Sequence, residues 1–301
     1  MTELENVRER FLTIMSTRLY TRLEPQELNE LHLDLSTYLK LNDYNLTEPQ
    51  ELSLLEMLFY INIFMNNDMD AQIIYKNLKD KLLSSNDKKS AKLLVMEATL
   101  LQLNENDVKA IEFLNKLISE EYEYDSDPTS YGLLKKKILS IKFELAKSVN
   151  DNDTVMKELI DLIEKLPLDP ELWWYLGELY YKQGKLDESK YCFEEIVLIM
   201  PFNYVGFAKI AEILYYKALK STNTTEKEKL LQYSLNNALR SVELSGLYLK
   251  GWSFVAVVSK ILSNKSDILE LATKKIKEIS EVSNSRDKIA AEYILKEKNL
   301  V

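Results

Sequence analysis

Between Asp169 and Pro201 the chain reads DPELWWYLGELYYKQGKLDESKYCFEEIVLIMP, and no other stretch limits the fold as tightly. Trp173, Leu176, Gly177 and Tyr180 stand at W-x2-L-G-x2-Y spacing, followed by Ser189, Phe193 and Pro201. Steps of three and four residues put Trp173, Leu176 and Tyr180 on one face of a helix. Gly177 shares that face. Glycine costs about 1 kcal/mol in a helix interior, so its presence predicts a second helix crossing too close to leave room for a side chain. Gly184 supplies the turn, and Ser189, Phe193 and Ile196 form the matching face of the second helix. Asp169-Pro170 and Met200-Pro201 punctuate the two ends. An ordinary helical hairpin from a globular bundle is the competing reading, but so many residue types at one set of offsets favour a repeating unit.

Those offsets are the ones a tetratricopeptide repeat uses, and the rest of the chain repeats them. Phe207, Ile210, Ala211 and Leu214 restate the Trp173, Leu176, Gly177 and Tyr180 register in the next pair, and Trp252, Val255 and Ala256 restate it again. Second-helix offsets recur at Ala71, Tyr75 and Leu78, at Ala110, Leu114 and Leu117, at Val155, Leu159 and Leu162, at Ser234, Ala238 and Ser241, and at Ala272, Ile276 and Ile279. The expected fold is all-α, a tetratricopeptide-repeat superhelical solenoid of about six helix pairs over residues 47–301. Residues 1–46 form two further helices, a cap or a docking segment, and a polar-faced helix from Ser285 to Lys298 caps the far end. A polar insertion, KSTNTTEKEK, lengthens the loop inside the fifth pair, and an acidic loop from Glu120 to Asp127 separates the halves of the array.

Six Gly and six Pro leave few turns for an all-β architecture. A net charge of -9 offers no global field for nucleic acid or anionic lipid. Lys135, Lys136 and Lys137 form the one marked basic run, and such runs are usually solvated faces. The single cysteine, Cys192, excludes an internal disulfide, fits a reducing compartment and falls where a buried, inert thiol is expected. The start, MTELENVRER, lacks the apolar core of a secretory signal. The most apolar stretch, Leu52 to Met65, is broken by Ser53, Glu56 and Asn62, short of the roughly 18 apolar residues that a membrane span needs.

No phosphate-cradling glycine loop, zinc-spaced Cys/His cluster or nucleophile elbow is present, so neither a cofactor nor enzymatic activity is expected. A helix-pair array offers instead a long surface lined by the first helix of each pair. Its candidate lining residues are those that packing leaves over: Glu171, Trp174, Glu178 and Tyr181, then Val205, Lys209, Glu212 and Tyr216, then Lys250 and Ser253. Glu178 and Glu212 occupy equivalent places, which predicts an aromatic, locally acidic groove for a peptide with apolar anchors and some basic residues. The alternative is that Trp174 and Tyr181 only pack between repeats.

Beyond the repeat itself, the order of pairs, the KKKILSIKFELAKS helix from Lys135, the WWYLGELYYKQGKLDESKYCFEEIVLIMPFN block and the AEILYY helix from Ala211 resemble one family. It is subunit 2 of the endoplasmic reticulum membrane protein complex, most like a fungal member, with the resemblance covering roughly residues 48–300. The resemblance implies a non-enzymatic scaffold, peripheral on the cytosolic face of the endoplasmic reticulum. Its partners there would be membrane-embedded subunits, including an Oxa1-like insertase subunit and a small two-span subunit, in an assembly that inserts tail-anchored and multi-pass proteins. The rivals are an adaptor for the C-terminal peptides of chaperones, which needs basic first helices to grip a carboxylate, and a scaffold of another cytosolic assembly, such as an RNA- or protein-modifying one.

Overall fold

The computed structural model describes residues 3–21, 23–41, 45–83, 90–104, 106–146, 152–262, 265–282 and 285–297. Among these residues the regular elements are all helical, and they fall into two compact units, Met1–Ile141 and Lys142–Val301.

The first unit holds α1 (Glu3–Thr17), α2 (Pro25–Lys40), α3 (Glu48–Phe64), α4 (Asp68–Leu83), α5 (Ala91–Asn104), α6 (Asp107–Glu120) and most of α7 (Pro128–Ala146). α3 has a capped start: Thr47 N–H donates to Gln50 Oε1 at 3.0 Å, and Pro49 sits in the first turn, where its missing donor costs nothing. α1 and α2 pack against α3, so Phe11, Leu31 and Leu35 share one core with Leu54, Phe59, Ala71 and Leu78. A second core gathers Leu94, Ala98, Leu114, Leu134 and Ile138 around Tyr122. That tyrosine belongs to the acidic stretch read as a mere separator, yet its ring is only 1% exposed. The Lys135–Lys137 run is not a freely solvated face either. All three lysines are half-buried, and burial pushes the Lys137 ammonium down to about 8.

The second unit continues with α8 (Asn152–Lys165), α9 (Pro170–Lys182), α10 (Leu186–Ile199), α11 (Tyr204–Lys220), α12 (Thr224–Leu244), α13 (Leu249–Ile261), α14 (Ser266–Val282) and α15 (Ser285–Glu297). The repeat register states how α9 meets α10. A Cβ on Gly177 would stand 2.9 Å from Phe193 Cε2 and 3.1 Å from Cys192 Cβ, so the crossing is as close as the glycine implied. Gly184 turns the chain at φ +74°, a conformation that side chains disfavour. Leu176, Phe193, Ala211, Trp252 and Ala256 are buried, and Tyr180 is half-buried.

The serines at small-residue positions do more than fit. Ser189 Oγ donates to Gly177 O at 2.9 Å and Ser234 Oγ to Ala211 O at 2.7 Å, each tying a second helix to the backbone of its first. Trp173 Nε1 donates to Pro167 O and Trp252 Nε1 to Gly246 O, both at 2.8 Å, so equivalent tryptophans latch onto the turns that precede them. Pro201 is exposed in the turn after α10 and acts by stopping that helix rather than by filling a gap.

The KSTNTTEKEK insertion does not lengthen a loop. Lys220 still belongs to α11, and α12 begins by Thr224, leaving a connection of residues 221–223. Asn223 Oδ1 accepts from the N–H groups of Thr225 and Glu226 and so caps α12. The polar residues are helix formers that follow a capping residue, and they extend α12 to 21 residues. α15 buries Ala291 and Leu295 while Ile289 and Tyr293 stay exposed. The expected helix end at Lys298 lies outside the described residues.

Candidate partner-binding face

α9, α11 and α13 are the first helices of three successive pairs, and the side chains left over from packing meet along them. Lys209 Nζ on α11 lies 2.5 Å from Glu178 Oε1 on α9 and 3.5 Å from Glu212 Oε2 on its own helix. Lys250 Nζ on α13 reaches the same Glu212 oxygen at 2.6 Å. The Glu178 contact is close but poorly aligned for a hydrogen bond, so its strength is that of an ion pair. Tyr181 OH donates to the other Glu212 oxygen at 3.3 Å. The Lys209 ammonium also sits 5.2 Å from the Tyr181 ring centroid and 5.9 Å from that of Phe193. A ladder of two carboxylates and two ammoniums thus runs from α9 through α11 to α13 over an aromatic floor.

The side chains of Glu178, Lys209 and Glu212 are 19%, 14% and 15% exposed, and that of Lys250 is 34% exposed. Charges so sheltered attract one another more strongly than in water, but they also lose hydration, and the two effects largely offset as long as every partner stays. The Tyr181 phenol is pushed above its ordinary range, first by burial and then by Glu212, which keeps it protonated as a donor.

The remaining expected lining residues fall at the margins. Trp174 meets Phe193 edge to face at 5.1 Å, within its own hairpin. Tyr216 is exposed and lies 6.4 Å from the Tyr181 ring. Val205 is half-buried near the start of α11, and Ser253 donates to Leu249 O at 2.7 Å. Glu171 is exposed and accepts from Tyr175 OH at 2.8 Å. The expectation of a locally acidic surface is corrected by this geometry, because Lys209 and Lys250 balance Glu178 and Glu212. Sequence reasoning missed Phe193 as the floor beneath Lys209, and Tyr215 and Phe254, which stack edge to face at 5.9 Å across α11 and α13. A search for opposite charges one turn apart on equivalent helices would have found the ladder.

Glu212 is the shared rung, and Glu212→Gln is expected to destabilise the second unit by about 1–3 kcal/mol, because two ammoniums lose a charged partner at once. Tryptophan-monitored urea unfolding reads the loss, and adding Lys250→Met should recover part of it. Equal midpoints for Glu212→Gln and the parent would mean that the rung contributes nothing.

Comparison with known proteins places the same segment at the centre. A family profile described as "Tetratricopeptide repeat" matches residues 170–203, the α9–α10 hairpin and its following turn. In fold, the chain is similar to a solved structure of Pseudomonas aeruginosa pilF, with a TM-score of 0.53, 13% identity, and coverage of 80% of this chain and 97% of that one. Among characterised sequences, TPR repeat protein oca3 of Schizosaccharomyces pombe is 23% identical over 273 residues, which is 90% of this chain and 88% of that protein. ER membrane protein complex subunit 2 of Saccharomyces cerevisiae is 45% identical over 291 residues, 96% of this chain and 97% of its own length. Identity at that level across nearly all of both chains, N-terminal helices included, means that the chain belongs to the family of ER membrane protein complex subunit 2.

Proposed function

We propose that this chain is a non-enzymatic scaffold of an ER membrane protein complex, held at the cytosolic face of the membrane through its partners. The observation that carries this reading is the near end-to-end relationship to the yeast subunit. The partners would be the membrane-embedded subunits, including an Oxa1-like insertase subunit and a small two-span subunit, whose cytosolic tails and loops lie along α9, α11 and α13. In that role the chain supports insertion of tail-anchored and multi-pass proteins. Among the described residues no helix is long and apolar enough to cross a membrane, which fits attachment through partners.

Geometry bears on the rival adaptor role. Lys209 and Lys250 on this face are already held by Glu178 and Glu212, so neither ammonium is available to clamp the C-terminal carboxylate of a chaperone peptide. What the face offers is Tyr216 at its edge and a charge-neutral, rigid backing, suited to apolar side chains of a tail. The test is a pull-down of the tagged full chain from detergent-solubilised membranes, read by mass spectrometry. Recovery of multi-span endoplasmic reticulum proteins, reduced severalfold by Tyr216→Ala with Glu171→Lys, is the expected result. Recovery of soluble chaperones instead would overturn the scaffold reading, and recovery unaffected by the double variant would move the contact to another face.

A further inference from the structure

A second apolar opening, away from the ion-pair ladder, lies where α8, α9 and α10 meet. It encloses about 580 Å3 and is walled by Ile160 and Ile163 of α8, Trp173, Leu176 and Tyr180 of α9, and Tyr191 of α10. Ile160 and Tyr191 are exposed at its mouth, and Leu168, next to the lining residue Pro167, is 78% exposed.

The repeat register explains why a gap remains here. At the α10–α11 and α12–α13 junctions the residue before the aromatic register position is glycine. A Cβ on Gly206 would stand 2.9 Å from Val197 Cγ1, and one on Gly251 would stand 2.7 Å from Val242 Cγ1, so those helices close up side by side. At the α8–α9 junction the same position is Leu172, fully buried, which needs the space that glycine gives up. Leu172 thus keeps α9 from closing on its neighbour as glycine allows elsewhere, and of the α8 residues that line the gap, Ile160, Ile163 and Glu164, the last is a carboxylate that gains nothing by filling an apolar space.

Charge identifies the occupant. The lining contains Glu164, Asp187 and Glu188 and no cation. Asp187 is engaged by Lys217, and Lys185 stands 5.7 Å from the centroid of the Tyr180 ring. Glu164 and Glu188 have no ion-pair partner among the described residues. We infer that this cleft is a docking site for a partner polypeptide segment presenting one bulky apolar side chain flanked by lysine or arginine. The apolar group fills the gap between Trp173 and Ile160, and the flanking cations meet Glu164 and Glu188. The site is independent of the α9–α11–α13 face and holds whether or not that face binds tails.

The test uses the full chain and three fluorescein-labelled synthetic peptides read by anisotropy. One has a Trp-Leu centre between lysines, the second replaces the lysines by glutamates, and the third replaces Trp-Leu by serines. The first is expected to bind at least about tenfold more tightly than either other, and Glu164→Lys with Glu188→Lys should weaken it by about tenfold, or about 1.4 kcal/mol. Both glutamates are exposed, so the double variant should keep the parent's thermal unfolding, and Glu228→Lys on α12 should leave binding unchanged. Equal binding of all three peptides, an unaffected double variant, or equal weakening by Glu228→Lys would overturn the inference. So would a neutral dye, Nile red, that occupies the cleft and is not displaced by the first peptide.

Discussion

Phe193→Ala is expected to cost the second unit about 3–5 kcal/mol, the range for removing a fully buried phenylalanine ring from a packed core. The ring is completely buried in α10. Trp174 meets it edge to face, Lys209 lies over it, and Gly177 was kept bare to admit it. Its loss therefore opens a void where α9 meets α10 and also removes the floor beneath the ion-pair ladder. All three tryptophans, Trp173, Trp174 and Trp252, lie in the second unit, so fluorescence during urea unfolding follows that unit by itself. A midpoint within about 1 kcal/mol of the parent, below the usual cost of such a truncation, would mean that the hairpin collapses onto the gap.

The opposite error, adding volume, is nearly as damaging at Gly177. Gly177→Val is expected to destabilise the unit by about 3 kcal/mol, at the upper end of overpacking effects. Glycine's poor helix propensity works the other way, since any side chain gains up to about 1 kcal/mol there. Space decides the sign. The first added carbon would meet Phe193 Cε2 at 2.9 Å and Cys192 Cβ at 3.1 Å, and the latter is fixed to the backbone of α10. The ring cannot swing away, because Trp174 and Lys209 hold it. Relief requires α9 and α10 to part, which strains the Ser189 Oγ to Gly177 O bond of 2.9 Å between fully buried groups. Gly177→Ala should lie near neutral to about 1 kcal/mol unfavourable, with propensity offsetting part of the clash. Thermal unfolding of the two variants side by side gives the ranking, and a valine variant as stable as the alanine one would show that the helices are free to separate.

Periodic features of the chain were legible without coordinates. Trp173, Leu176, Gly177, Ser189 and Phe193 sit where their spacing put them, and Ala211, Ser234, Ala256 and Ala272 repeat the small-residue positions with no exposure at all. These positions are legible because a helix face depends only on separation along the chain. The ladder was half legible. Helix geometry places Glu178, Lys209, Glu212 and Lys250 on a common side, but whether neighbouring charges repel a partner or neutralise one another depends on distances between helices, which no single-helix period contains. The acidic reading weighs the glutamates at equivalent positions and counts Lys209 and Lys250 as lining residues without pairing them to Glu178 and Glu212.

Two other errors have the same origin. Polar composition alone reads KSTNTTEKEK as loop, although Asn223 is a good cap and the residues after it favour helix. Tyr122 shares its acidic stretch with Tyr124, and a single buried anchor has no periodicity to tell it from its neighbour. The cleft beside Leu172 could have been suspected from sequence by comparing Leu172 with Gly206 and Gly251, since replacing a repeated glycine by leucine is a local change in how near two helices can come.

The extra length of the fifth hairpin, built into α12 with a three-residue connection capped by Asn223, is taken up at the hairpin's far end. The register residues Ala211, Ser234 and Ala238 stay in contact below it, so added or deleted residues at the tip do not rotate them out of place. That end of the molecule is thus mechanically insulated from its neighbours. A reporter domain grafted between Ser221 and Thr222 would ride on the protein while the stack beneath it kept its geometry.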